Sequence, residues 1–293
     1  MPLRYAYNTN GTAHHRLDDA LALIAESGYN GVALTLDHHH LDPFAADWQQ
    51  QAERLSQRLA GLRLGLVIET GARYLLDPRQ KHEPTLISPN KEGRARRVEF
   101  LQRAIEIAAI CGGEAVSFWA GVPQASVDHP QAWKWLRAGV AQVVEYAEQR
   151  DVVVALEPEP GMLVETVDDY QQLRAIFPGL RLALDLGHCI VTGERVPHAA
   201  VHEFAPMLGT VAIEDMRRGV HEHLPFGEGD MDVRAALAAL HAIHFERLVC
   251  VELSRDSHRA HTMVGEALRY LKRTEEQGRP LHEEPQGSRL SYD

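Results

Sequence analysis

The chain has 293 residues, 45% of them apolar, enough to bury a substantial core in one large domain or two small ones. Its 41 acidic residues outweigh 30 basic ones, and the formal net charge of -11 argues against sequence-independent attraction to nucleic acid or to an anionic membrane surface. The start, MPLRYAYNTN, lacks the charged flank and apolar run of a signal peptide, and no later apolar run approaches the ~18 residues of a spanning helix, so a cytoplasmic protein is expected. Cys111, Cys189 and Cys250 are odd in number, far apart and set in apolar surroundings, which points to buried thiols rather than a disulfide framework.

From the N-terminus, short apolar segments alternate with longer helical patterns. The strand-like segments are 4–9, 31–36, 63–70, 115–119, 152–157, 181–185, 209–215 and 247–253, most of them apolar runs that end on a polar or charged residue. The helical patterns are 17–27, 48–59, 92–111, 131–150, 168–177, 197–204, 233–244 and 260–272. Leu101, Ile105, Ala108 and Ala109 fall on one helical face, as do Val140, Val143, Val144 and Ala147. Gly28, Gly61, Gly112 and Gly179 stand where helices are expected to stop.

Eight βα units in this length predict a single (β/α)₈ TIM barrel over residues 1–275, followed by a polar tail over 276–293. A doubly wound open sheet is the structural alternative, but the first βα turn, residues 8–15, has no GxGxxG spacing. No linker rich in Ser, Gly or Pro divides the chain. The loop over 71–91 contains three prolines and is a candidate lid, while the tail offers a means of forming a homo-oligomer.

The chemistry gathers where strands end. Glu157 follows five buried-type residues in VVVALEPEPG, Asp185 closes LRLALD with His188 three residues on, and Glu252 closes LVCVE. Between them lies Thr210 to Asp232, an apolar run that breaks into acids, the pair Arg217 and Arg218, then His221 and His223, then a Gly-Glu-Gly. Carboxylates and imidazoles suit a hard or borderline divalent cation, and strand ends around a barrel mouth can direct several of them to one point. Arg217, Arg218 and Arg255 each follow a strand end, where a guanidinium fork can bind an anionic or hydroxyl-rich substrate. The run His38-His39-His40 is read as a turn beside Asp42-Pro43, because consecutive residues cannot all face one point.

The order Glu157, Asp185-Leu-Gly-His188, Phe226-Gly227-Glu228-Gly229-Asp230, Glu252 resembles the xylose isomerase-like barrel superfamily, which includes sugar isomerases, ketose 3-epimerases, inosose dehydratases and apurinic-site endonucleases. The resemblance reaches to about Arg273 and implies a divalent metal, commonly manganese, magnesium, cobalt or zinc. In the epimerase branch, residues matching Glu157 and Glu252 bind metal and exchange a proton with the substrate, the one matching Asp185 binds metal, and the one matching His188 contacts substrate. The sequence departs from the pattern twice. Ala212 stands where a metal-binding strand-seven histidine is expected, and Trp119 stands where the endonucleases carry a ligand. His221 and His223 resemble the Asp-x-His pair of the endonuclease branch, so a displaced site is expected: imidazoles from His188, His221 and His223, oxygens from Glu157, Asp185 and Glu252. Trp119 then becomes a stacking wall for a sugar face.

The expected activity is a metal-dependent isomerase or epimerase acting on a sugar, sugar phosphate or related polyol, with Glu157 and Glu252 as the acid/base pair. A metal-assisted polyol dehydratase needs the same chelate and one base. A barrel that binds a metabolite without turnover is the non-enzymatic alternative. Phosphodiester hydrolysis ranks below these because of the net charge and Trp119.

Overall fold

The computed structural model describes residues 2–278. Eight parallel strands close into a barrel in the order β1-β10-β7-β6-β5-β4-β3-β2. They are β1 (Arg4–Asn8), β2 (Gly31–Thr35), β3 (Gly65–Glu69), β4 (Ala115–Phe118), β5 (Val154–Leu156), β6 (Arg181–Asp185), β7 (Leu208–Ile213) and β10 (Leu248–Val251). β8 (Asp215–Arg217) and β9 (Val220–Leu224) form a separate antiparallel hairpin between β7 and the next helix. The strands are buried on both faces, which is why they read as near-continuous apolar runs.

The principal helices are α1 (Leu17–Glu26), α2 (Trp48–Leu62), α3 (Lys91–Cys111), α4 (His129–Glu148), α5 (Val167–Arg174), α6 (Leu186–Thr192), α7 (Pro197–Phe204), α8 (Val233–Ala242) and α9 (Ala260–Gly278). Each lays an apolar stripe on the barrel: Leu21 and Ile24 of α1, Leu101, Ile105 and Ala108 of α3, Val140 and Val143 of α4. Ala109 departs from the expected face of α3 and is exposed, the core side being completed by Ala104. Gly61 lies inside α2 rather than after it, and the stop is made by Arg63 in a left-handed conformation at φ 57°.

Two differences bear on the site. The crossover from β6 to β7 holds α6 as well as α7, so the strand-end Asp185 is followed at once by a helix. The apolar run at 209–215 does not continue straight; it ends at Ile213, and Asp215 begins the hairpin. α9 runs past residue 275 to Gly278, and the rest of the tail, 279–293, lies outside the described residues. Cys111, Cys189 and Cys250 are all free. Among the described residues no helix is long and apolar enough to cross a membrane.

Candidate active site

Strand geometry aims the acids. Side chains alternate between the barrel interior and the helix layer, so positions two apart share a face. Ala6, Ala33, Val67, Leu248 and Cys250 form an apolar cluster of their own inside the barrel. Two residues on from members of that cluster, the same face carries Asn8, Thr35, Glu69 and Glu252 at the C-terminal mouth, and all four line a cavity of about 360 Å³. Glu157, Glu159, His188, His221 and His223 line it too. The volume falls within the range of about 300–1,000 Å³ usual for small-molecule sites.

Asp185 divides its two oxygens. Oδ1 accepts from the backbone N–H of His188 at 2.9 Å and caps α6, whereas Oδ2 is buried with no hydrogen-bond partner and lies 3.6 Å from His188 Nε2. The His188 ring is fixed by donating from Nδ1 to the Pro158 carbonyl at 3.0 Å, which leaves Nε2 facing the acids. Glu157 Oε1 stands 3.7 Å from His188 Nδ1, and one ligand atom from each of Glu157, Asp185 and His188 falls within 4.8 Å of the others. Glu252 approaches from β10 and accepts a 2.7 Å hydrogen bond from Asn10 Nδ2.

The hairpin delivers the other imidazoles. Gly219 makes its turn at φ +73°, so β9 runs back toward the cavity and places His221 Nε2 3.2 Å from His188 Nε2. Glu159, which reasoning from strand ends passed over, joins this group: its carboxylate is 3.8 Å from His188 and 3.7 Å from His221. His223 instead meets Glu214, with Nδ1 3.9 Å from Oε1. Thus the residues expected to share one centre separate: Glu157 with Asp185 and Glu159 with His221 adjoin through His188, His223 pairs with Glu214, and Glu252 stands outside both His188 groups. Unpartnered buried oxygens beside imidazole nitrogens form a donor set that fits a divalent cation.

The same hairpin turns Arg217 and Arg218 away. Both are exposed and neither lines the cavity; Arg217 donates to the Glu228 carbonyl at 3.0 Å, and the Arg218 backbone donates to Asp230 Oδ2 at 3.0 Å. Arg255 does line the cavity and pairs with Glu222. The Gly-Glu-Gly segment serves the loop: Asp215 accepts from the N–H groups of Gly227 at 2.8 Å and Met231 at 3.0 Å, and a methyl at Gly229 would overlap the same carboxylate.

Trp119 forms an apolar wall, backed by the Arg97 guanidinium 4.6 Å from its ring centre. Buried Arg97 donates to the carbonyls of Thr70, His82 and Pro84, tying the 71–91 loop down so that Arg73, Lys81 and His82 line the cavity. His38 and His39 line a different cavity with His14 and His15, and His38 pairs with Asp37 at 2.8 Å.

Burial and mutual repulsion dominate the electrostatics. Burial, then the charge of Glu252, pushes Glu69 well above the usual carboxylate range; burial, then Glu159 and Asp185, does the same for Glu157. Burial raises Glu159 to about 7 against the pull of His188. Asp185 is the exception: burial opposes its charge, but His188 and His223 hold it below the ordinary value. Burial also opposes a charge on His188, yet Asp185 and Glu159 raise its pKa, while burial and the two neighbouring imidazoles depress His221 to about 4.

The family model for the xylose isomerase-like TIM barrel matches residues 21–274. The chain belongs to that family. Its fold is similar to that of 3-keto-D-glucoside 4-epimerase from E. coli, with a TM-score of 0.74 and 16% identity over 93% of this chain and 100% of that one. It is also similar to L-ribulose 3-epimerase, with a TM-score of 0.74 and 21% identity over 94% and 96% of the two chains. A third similar structure, the IolI protein with a bound zinc atom, has a TM-score of 0.69 and 17% identity over 94% and 98%. No curated protein matches the chain.

Proposed function

We propose that this protein is a metal-dependent isomerase or epimerase of a sugar, sugar phosphate or related polyol. The observation that carries the reading is the convergence of Glu157, Asp185 and His188 ligand atoms within 4.8 Å, with Glu252 entering the same cavity from β10. The family adds support, as do similar structures named as sugar epimerases or as zinc-bound.

Glu157, Asp185 and His188, with Glu252 from β10, would hold a divalent ion, which when bound would supply the Lewis acidity that makes a C–H beside a carbonyl acidic. The protein's own groups do the rest. Glu157, which follows β5 at the cavity mouth, is placed to accept a proton from that carbon and hold it. Glu252, oriented by Asn10, delivers a proton from its own side, with β6 and β7 lying between its strand and that of Glu157. One proton leaves the substrate and one returns, so the reaction is redox-neutral. Trp119 offers a flat apolar wall to a sugar ring, and Arg73, Lys81 and Arg255 give the rim the positive charge that hydroxyl-rich or phosphorylated ligands require.

Glu157→Ala and Glu252→Ala test the pair. Each is expected to lower turnover of a responsive ketose by about 10²–10⁴-fold, with an unchanged circular dichroism spectrum. Retention of most activity in either variant would remove that residue from the mechanism.

A further inference from the structure

Glu214 is a buried acid that the site as described so far leaves without a role. It is fully buried, no N–H or hydroxyl donor reaches either carboxylate oxygen, its carboxyl lies within hydrogen-bonding reach of that of Asp185 so that the two can share a proton, and its closest basic group is His223, whose Nδ1 is also unpartnered at 3.9 Å. Asp185 and Glu252 are the like charges acting on it most strongly. A carboxylate so placed is costly unless a proton or a cation compensates it. Asp185 Oδ2 is a fourth unpartnered buried atom in the same neighbourhood.

Local backbone supports this position. A methyl group at Gly187, two residues past Asp185, would overlap Glu214 Oε1, so the carboxylate occupies space that only glycine leaves open. Register explains why the acid is at 214. Ala212 pairs with Asp185 on one side and with Cys250 on the other, so strand seven presents a methyl group at that level. Two residues on, the same face of the chain reaches Glu214, alongside Glu252, whose N–H donates to the Ile213 carbonyl.

We propose that Glu214 is a divalent-cation ligand, joining from the strand-seven side, beside His223, the site that Asp185 Oδ2 shares. The assignment rests on the metal-dependent reading above and adds one ligand, Glu214, that neither the strand-end acids nor the lining of the open cavity reveals. Two carboxylates and one imidazole nitrogen suit zinc or manganese.

The test is the affinity of the full-length protein for Zn²⁺ and Mn²⁺, measured by chelator competition and by elemental analysis, for wild type and Glu214→Gln. Glu214→Gln is expected to weaken binding by at least about 10-fold, while the metal-stripped variant melts at or above the temperature of stripped wild type because a buried carboxyl has been removed. Unchanged affinity, with wild type holding metal, overturns the assignment and leaves the metal-dependent reading standing. No binding of either ion by wild type overturns both. Loss of affinity in the variant, with no proton exchange by metal-loaded wild type on any sugar, supports the ligand assignment and defeats the isomerase reading. Should Glu214→Gln fail to fold, Glu214→Asp retracts the oxygens by one methylene and must show the same weakening; unchanged affinity there overturns the assignment as well.

Discussion

The lower and upper layers of the barrel interior lie two residues apart on the same strands and obey opposite rules. Below, Ala6, Ala33, Val67 and Cys250 make a dry apolar cluster; above, the same faces carry Asn8, Thr35, Glu69 and Glu252. Ala155, Ala183 and Ala212 stand in the same two-residue relation to Glu157, Asp185 and Glu214. A constant backbone therefore hosts both. The lower layer stabilises the barrel by apolar burial, whereas the upper layer crowds acids whose charges burial and repulsion oppose. An arrangement of that kind persists when protons or a bound cation compensate it, and competition between the two is the physical basis for reading the mouth as a cation site.

The comparison breaks most severely if an acid is moved down one layer. Val67→Asp places an unpaired charge in the apolar cluster and is expected to cost on the order of 4–5 kcal/mol, seen as loss of the cooperative melt or a large fall in urea midpoint. A melt close to that of wild type would show that the lower layer tolerates charge and that the two layers are not distinct.

A smaller effect sharpens it. In the metal-free protein Glu159 has a pKa of about 7 against an ordinary 4.5, so the native state keeps a proton that the unfolded chain has released. That contribution is fully present below about 4.5 and is lost as pH rises through about 7. Raised pKa values at Glu69, Glu157 and His188 act in the same direction. Stripped protein is therefore expected to melt at a lower temperature at pH 8 than at pH 5.5, and metal-loaded protein to show the slope flattened or reversed, because metal competes with those protons. Calorimetry with and without chelator reads both slopes; a stripped protein that gains stability over this range would contradict the electrostatic account.

Much of the architecture is legible in the chain because its signals are local. Eight apolar runs separated by amphipathic stretches give the barrel, and strand-end acids at 157, 185 and 252 are visible as the first charge after each run. The rest depends on direction, which sequence spacing does not supply. A hairpin turn at Gly219 sends His221 and His223 into the mouth and leaves Arg217 and Arg218 outside, so residues a few positions apart part company. Glu214 was readable in principle as the next inward position after Ala212, but the abrupt run of charges after Ile213 obscures where the alternation stops. Glu159 was hidden by Glu157, since both stand in one EPEP segment and only the packing against His188 and His221 separates their surroundings.

The most direct test of the central claim is solvent deuterium incorporation, followed by proton NMR, into a panel of ketoses, keto-sugars and their phosphates with metal-loaded and metal-stripped wild type. The account predicts deuterium at the carbon beside the carbonyl of at least one compound with loaded protein, and none after stripping. Exchange that survives stripping, or none across the panel at full metal occupancy, would contradict it.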